Sequence, residues 1–216
     1  LPLGLGPVKA RVILLTGPSG SGKTSLLRRV GARRLKLDDF YRDGDEPGMP
    51  LLDGRVSGEA GVSQSQAMSL IDWDHPASWD AERAMTAILQ LCQSGRTTVP
   101  VYSIADNATV GSEVLELGAE TAFVAEGIFA AELVERCREA GVLADALVLR
   151  RPTIQTWWFR LRRDVNEHRK PLHVLLTRGV RLAREEPAKI AAWVRQGCRS
   201  VSRQECEDTI RGLIRS

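Results

Sequence analysis

Three histidines, four cysteines and no long apolar run deprive several function classes of their usual materials. Cys92, Cys137, Cys198 and Cys206 stand far apart, form no CxxC pair and have no histidine cluster beside them. Neither a disulfide framework nor a zinc site is expected from that spacing; buried, reduced thiols in a cytosolic compartment are. His75, His168 and His173 share no metal-ligand spacing, and His75, next to Pro76, reads as a local structural residue. No stretch reaches the ~18 uninterrupted apolar residues of a membrane span. The opening residues, 1–10, lack the basic flank and apolar stretch of a signal peptide, so a soluble, cytoplasmic chain without a membrane partner is expected. Internal repeats and low-complexity tracts are missing as well. A net charge of +3 is too small to argue for a nucleic-acid partner.

What is present suits one core. A chain of 216 residues, 43% apolar and 26% charged, is close to globular averages, and surface scaling leaves no room for two large domains. A single domain over 1–216 is expected. Its charge is uneven: from Arg150 onward there are 16 Lys and Arg against 7 Asp and Glu, whereas residues 1–149 hold 14 against 20. Arg178, Arg181, Arg184 and Arg195 fit a solvated helical face, while the denser group from Arg160 to Lys170 calls for its own account.

Arg11–Thr16 reads as a buried strand, followed by a glycine-rich turn and helical spacing from Thr24 to Val30. Leu35–Leu37 reads as a second strand ending at Asp38 and Asp39. Residues 44–72, rich in Gly, Pro, Ser and Asp, suggest an irregular excursion rather than core structure. A helix is expected over Asp80–Gln93, with Gly95 as its stop, then strands at Thr98–Tyr102 and Val110–Leu117 near a surface hairpin. Thr121–Ala125 reads as a buried strand ending at Glu126 and Gly127, Ala130–Ala140 as a helix, Ala146–Leu149 as a strand, and the chain from Ile154 as mainly helical. This βαβ alternation points to a parallel sheet covered by helices, with ligand chemistry at the carboxyl ends of its strands.

The sharpest signal is Gly17-Pro18-Ser19-Gly20-Ser21-Gly22-Lys23-Thr24, which matches GxxxxGK[ST] between a strand and a helix. Glycines there let successive backbone N–H groups turn toward phosphate oxygens, and the following helix offers its positive end to the same anion. Gly17, Ser19, Gly20, Ser21, Gly22, Lys23, Thr24 and Ser25 are therefore the candidate ATP-binding residues. Lys23 would reach the outer phosphates, and Thr24 would give its hydroxyl to Mg2+. No Asn-Lys-x-Asp segment of the guanine-reading kind is present, which favours a small-molecule kinase over a GTPase.

Beyond that loop, Leu37-Asp38-Asp39-Phe40-Tyr41, Trp73-Asp74-His75-Pro76, Val99-Pro100-Val101-Tyr102, Glu126-Gly127-Ile128 and Arg160-Leu161-Arg162-Arg163-Asp164 follow in order. Together they resemble the uridine kinase family, from about Val12 to Arg169. The resemblance implies ATP-dependent phosphorylation of a nucleoside 5′-hydroxyl, uridine- or cytidine-like. The fold class it implies is α/β, a P-loop NTPase fold with a mostly parallel sheet flanked by helices. A basic helical lid over about 154–171 and C-terminal helices over about 172–216 would complete it.

Each matched residue has a chemical reason to be there. Asp38, at a strand end facing the phosphate loop, could accept the hydroxyl proton, with Asp39 the lesser candidate. Tyr41 would pack beside the acceptor. Asp74 resembles the family carboxylate that grips the two ribose hydroxyls, and an ionised carboxylate suits a vicinal diol. Glu126 at its strand end would join Thr24 in the Mg2+ shell. Arg160 and Arg163 match the lid arginines that stabilise phosphoryl transfer, with Arg169 near the substrate. Trp157, Trp158 and Phe159 stand where relatives often carry further basic residues. After Tyr102 this chain has Ser103-Ile104-Ala105-Asp106-Asn107 where the family commonly shows Asp and then a histidine or basic residue. Tyr102 could stack on a base and Asn107 could bond its edge. The expected partner is thus a nucleoside-like small molecule, with self-association left open and nucleic acid not expected. Two other readings compete: a related kinase for a different small alcohol, and a non-enzymatic nucleotide-binding regulator with basic C-terminal helices.

Overall fold

Val12–Leu15 forms the centre of the main sheet, and its alternate residues are buried on both faces. In the computed structural model, which describes residues 8–18, 20–59, 63–150 and 186–215, β1 (Arg11–Thr16) lies between β5 (Ala122–Glu126) and β6 (Leu143–Leu149). β2 (Arg34–Lys36) and β7 (Arg199–Val201) complete the order β2-β5-β1-β6-β7, with every pair parallel. A parallel sheet needs cover on both faces, which explains why β5 reads Ala-Phe-Val-Ala-Glu, buried throughout, rather than alternating.

On one face Val12, Leu14, Phe123, Ala125 and Val148 pack against α3 (Ala81–Ser94), α4 (Val134–Glu139) and the short 3-10 turn Ala130–Leu133. On the other, Ile13, Leu15, Val124 and Leu147 meet α1 (Lys23–Val30) and the last described helix, α5 (Arg203–Arg215). Full burial of each such side chain contributes roughly 1.5–3 kcal/mol. A buried carboxylate, Glu207 of α5, also draws Arg203 to 3.0 Å and Arg29 of α1 to 3.5 Å, which fastens the two helices together. Asp80 caps α3 by accepting the Arg83 N–H, and Gly95 ends it in the left-handed conformation.

Three expectations need correction. Residues 44–72 are not merely irregular: α2 (Gln64–Leu70) begins at a Ser63 capping box, and Met49, Leu51, Ala67 and Ile71 form a small core of their own. Four apolar residues so widely spaced show no periodicity, so composition masked them. The expected strands around Thr98 and Val110 are longer, β3 (Arg96–Ser103) and β4 (Ala108–Glu116), and pair antiparallel as a separate two-stranded sheet. The far end of the chain is not wholly helical, because β7 adds a strand between helical residues 186–195 and α5. Three residues are too few to carry a pattern; pairing with β6 makes them a strand. The lid residues expected at about 154–171 lie outside the described residues. No helix among the described residues is long and apolar enough to cross a membrane.

Candidate active site

Where β1 ends, the chain turns sharply back upon itself. Gly17 approaches the end of β6 so closely that a Cβ there would lie 2.9 Å from the Leu149 carbonyl oxygen, which only glycine permits. The loop enters α1 through Gly22, which has no side chain with which to cap the helix, and the first turn holds no acid. Lys23 folds its ammonium back onto the carbonyls of Gly17, at 2.8 Å, and Pro18, at 3.3 Å. Ser21 is fully buried, and its hydroxyl has no hydrogen-bond partner. Uncapped amides, an orphaned hydroxyl and a neighbouring ammonium together form a cradle for an anion of the phosphate kind. Ser25, included among the ATP-binding candidates, bonds the Gly22 carbonyl at 3.0 Å. Ser19 lies outside the described residues.

β5 delivers Glu126 beside this cradle. Register pairs it with Leu15 of β1 and Lys36 of β2, so the carboxyl ends of three strands meet there. Thr24 Oγ1 donates to Glu126 Oε1 at 3.3 Å. Arg34 Nε lies 3.0 Å from the same oxygen, an ion pair without straight hydrogen-bond geometry. Arg34 escaped the sequence reading; its only signal was a basic residue two before Lys36, which puts both on one face of β2. A hydroxyl and a buried carboxylate side by side are suitable oxygen donors for a hard divalent cation.

Asp38 follows β2 within a 3-10 turn, Leu37–Phe40, and is tightly held. Trp79 Nε1 donates to the Leu37 carbonyl at 2.8 Å. Gly127 approaches from the other side: a Cβ there would meet Leu37 Cβ at 2.8 Å and Asp38 Oδ1 at 3.0 Å. Burial raises the Asp38 carboxyl above its ordinary range, and Glu126 raises it further against the opposing fields of Lys23 and Lys36. Asp39 instead pairs with Lys36. Asp38 is thus a half-buried carboxylate next to the phosphate cradle, with its proton affinity raised above that of an exposed carboxylate.

An aromatic wall stands beside it. Tyr41 meets Trp73, Tyr102 and Phe129 with ring centroids 5.6, 5.7 and 5.9 Å away, and its hydroxyl donates to the Trp73 carbonyl at 3.1 Å. Its hydroxyl pKa is raised by burial first, then by Asp38 and Asp74, so Tyr41 stands in the field of both carboxylates. Tyr102 turns its hydroxyl to the Arg42 carbonyl at 3.5 Å. Asp74 is exposed, donates its backbone N–H to Asp72 Oδ1 at 3.1 Å, and forms an ion pair with Lys189 at 3.1 Å. Lys189, 115 residues further along, gave no sequence signal; it is brought there by helical residues 186–195, whose Ile190 and Trp193 pack on the core. His75 accepts the Ala77 N–H on Nδ1 and so serves its own turn. Asn107 sits apart in the β3–β4 turn at φ 51°, where its carbonyl accepts the Gly44 N–H at 2.8 Å. Arg160, Arg163 and Arg169 lie outside the described residues.

A solved structure from Silicibacter sp. TM1040, of a protein provisionally named a fructose transport system kinase, superposes with a TM-score of 0.58 at 16% identity. The match covers 86% of this chain and 87% of that one. The chain has the P-loop NTPase fold, a parallel sheet flanked by helices. Two weaker likenesses add nothing to that: a provisionally named uridine kinase from Bacillus stearothermophilus and phosphoribulokinase from Rhodobacter spheroides. The first has a TM-score of 0.43, 19% identity and coverage of 76% and 84%; the second 0.38, 15%, and 78% and 62%. No family model matches the sequence, and no curated protein does. Within this fold, the cradle, Asp38 and Glu126 all occupy the carboxyl edge of the sheet, where open α/β sheets place their ligands.

Proposed function

We propose that the chain is an ATP-dependent kinase that phosphorylates a hydroxyl of a small acceptor, in its narrower form the 5′-hydroxyl of a uridine- or cytidine-like nucleoside in the cytoplasm. The observation that carries the reading is Asp38, a half-buried carboxylate in the fields of Lys23 of the phosphate cradle and Tyr41 of the aromatic wall. A nucleotide sensor has no use for such a group. The aromatic wall favours an acceptor with a ring, as a nucleoside has.

In this reading the loop amides, the Ser21 hydroxyl and Lys23 hold the phosphate chain of ATP. Thr24 and Glu126 would hold Mg2+, which neutralises phosphate charge when bound. Asp38 accepts the acceptor hydroxyl proton as that oxygen forms its bond to the terminal phosphorus, while the bond to the ADP oxygen breaks. Its raised pKa makes it a better base than an exposed carboxylate would be. Tyr41 and Tyr102 form the wall against which the acceptor ring lies. Asp74 takes sugar hydroxyls on its open lone pairs beside Lys189. Arg160, Arg163 and Arg169 supply the cationic lid of the proposed family pattern. A kinase for a different small alcohol would use the same phosphate machinery with another arrangement of the wall.

The test is ATP consumption with magnesium against ribonucleosides, their 2′-deoxy forms and unrelated sugars and alcohols, with product mass recording the added phosphate. Turnover of uridine or cytidine, reduced on the 2′-deoxy forms, is expected. Turnover of a sugar alone would retain the kinase and remove the nucleoside. ATP binding with no turnover on any acceptor would overturn the kinase reading.

A further inference from the structure

Glu126 is a carboxylate set almost out of reach of water. Its side chain keeps only 5% of its surface exposed, and an anion so desolvated needs a positive charge close by. Thr24 Oγ1 donates one hydrogen bond to it at 3.3 Å, but a hydroxyl brings no charge. The charge comes from Arg34, whose Nε lies 3.0 Å from the same oxygen, Oε1.

The sheet explains why this arginine arrives there. β2 and β5 run parallel, with Arg34 beside Val124 and Lys36 beside Glu126. Alternate residues of a strand share a face, so Arg34 and Lys36 lie on the side of Val124 and Glu126, whereas Leu35 is buried in the opposite layer. Lys36, the nearer of the two in register, is paired with Asp39. Arg34 reaches along β2 with its longer stem, and its side chain is 28% exposed.

This contact is electrostatic more than it is a hydrogen bond. Arg34 Nε is buried, and its N–H does not point along the line to Glu126. A guanidinium held in that way is permanently charged, yet it can move aside without breaking a directed bond. A divalent cation held by Thr24 and Glu126 would bring positive charge to the carboxylate that Arg34 already neutralises, and the two would repel.

We infer that Arg34 is a positioning residue that acts through Glu126: it is the resident counter-ion of that carboxylate and balances it until a divalent cation takes over. This rests on the reading of Thr24 and Glu126 as cation ligands. Its consequence is that the cradle accepts the phosphates of a nucleotide without a cation, because Arg34 offsets the repulsion from Glu126.

The test is calorimetric titration of ADP into the full chain, once in EDTA and once in magnesium. Wild type should bind ADP measurably in EDTA. Arg34→Met leaves Glu126 uncompensated beside the phosphates. Its ADP affinity should fall about 10-fold in EDTA, the scale of one unit charge several ångströms away in a partly hydrated site, yet stay within about threefold of wild type in magnesium. Arg34→Lys keeps the charge and should follow wild type in both buffers. The double variant Arg34→Met with Glu126→Gln removes both charges and should regain wild-type affinity in EDTA. Arg34→Gln, which keeps an N–H donor, takes the same measurement should the methionine variant fail to fold. A merely structural role for Arg34 would weaken ADP alike in both buffers, and that result would overturn the inference. Equal affinity of Arg34→Met and wild type in EDTA, or wild-type binding that needs magnesium, would overturn it too. Glu126→Gln with an unchanged magnesium response would overturn the cation reading and with it the exchange, whereas an EDTA deficit in Arg34→Met would still mark Arg34 as the counter-ion of Glu126.

Discussion

Gly127→Ala tests the geometry of the site with a single methyl group. Gly127 is not among the glycines at positive φ, so alanine suits its backbone and the cost is purely one of space. The new Cβ would lie 2.8 Å from Leu37 Cβ and 3.0 Å from Asp38 Oδ1. Carbon contacts settle at roughly 3.5–4.0 Å, so the Leu37–Asp38 segment must retreat by about 1 Å. Overpacking of this kind costs about 1–3 kcal/mol, and each kcal/mol lowers the midpoint of a chain this long by roughly 2–4 °C. Misplacing a reacting group by ~1 Å costs about 100-fold in turnover. The expected result is therefore a modest fall in thermal midpoint, ATP affinity within twofold of wild type by calorimetry, and a kcat about 100-fold lower on whichever acceptor the panel identifies. Wild-type kcat in a variant destabilised as expected would refute the role given to Asp38. Loss of ATP affinity in step with kcat would place the damage in the phosphate loop instead.

Other substitutions probe neighbouring features. Trp79→Phe keeps most of the ring but strips the Leu37 carbonyl of its 2.8 Å donor, and should cost ~1–3 kcal/mol in denaturant unfolding; no loss would mean that water replaces the bond. Asp74→Asn removes the carboxylate proposed to accept sugar hydroxyls and should lower kcat/KM for the acceptor by roughly 10- to 100-fold, with KM for ATP unchanged. All four cysteines are free and buried, and burial pushes each thiol up to about 12 from an ordinary 9.0. Thiols of the unfolded chain ionise first, so the stability from these neutral groups is complete below pH 9 and is lost as pH rises toward 12. Thiol titration of the native protein at mildly alkaline pH should accordingly label none of the four until denaturant is added.

Much of the site could be read from local sequence because its groups sit where a strand stops. Gly17–Thr24 is contiguous, and Asp38 and Glu126 each follow a short apolar run, so chain position and chemistry coincide. The contacts between strands could not be read that way. Arg34 reaches Glu126 only because β2 lies beside β5, and Lys189 reaches Asp74 only through the packing of Ile190 and Trp193. Phe129 joins Tyr41 for the same reason, since nothing local distinguishes it from any core aromatic. The fold shows the same division. β1 and β5 announce themselves by five buried residues each, whereas β7 is three residues long with only Val201 buried and owes its conformation to β6. The β3–β4 hairpin was visible as two strands, but nothing in its sequence said that it would leave the main sheet.

Asp38→Asn offers the most direct test of the central claim, that this carboxylate takes a proton from the acceptor hydroxyl. The substitution keeps the shape and removes the base. With the acceptor identified, kcat is expected to fall by about 100- to 10,000-fold, the usual contribution of a general base, while ATP affinity stays within a few-fold of wild type. An unchanged kcat would contradict the account.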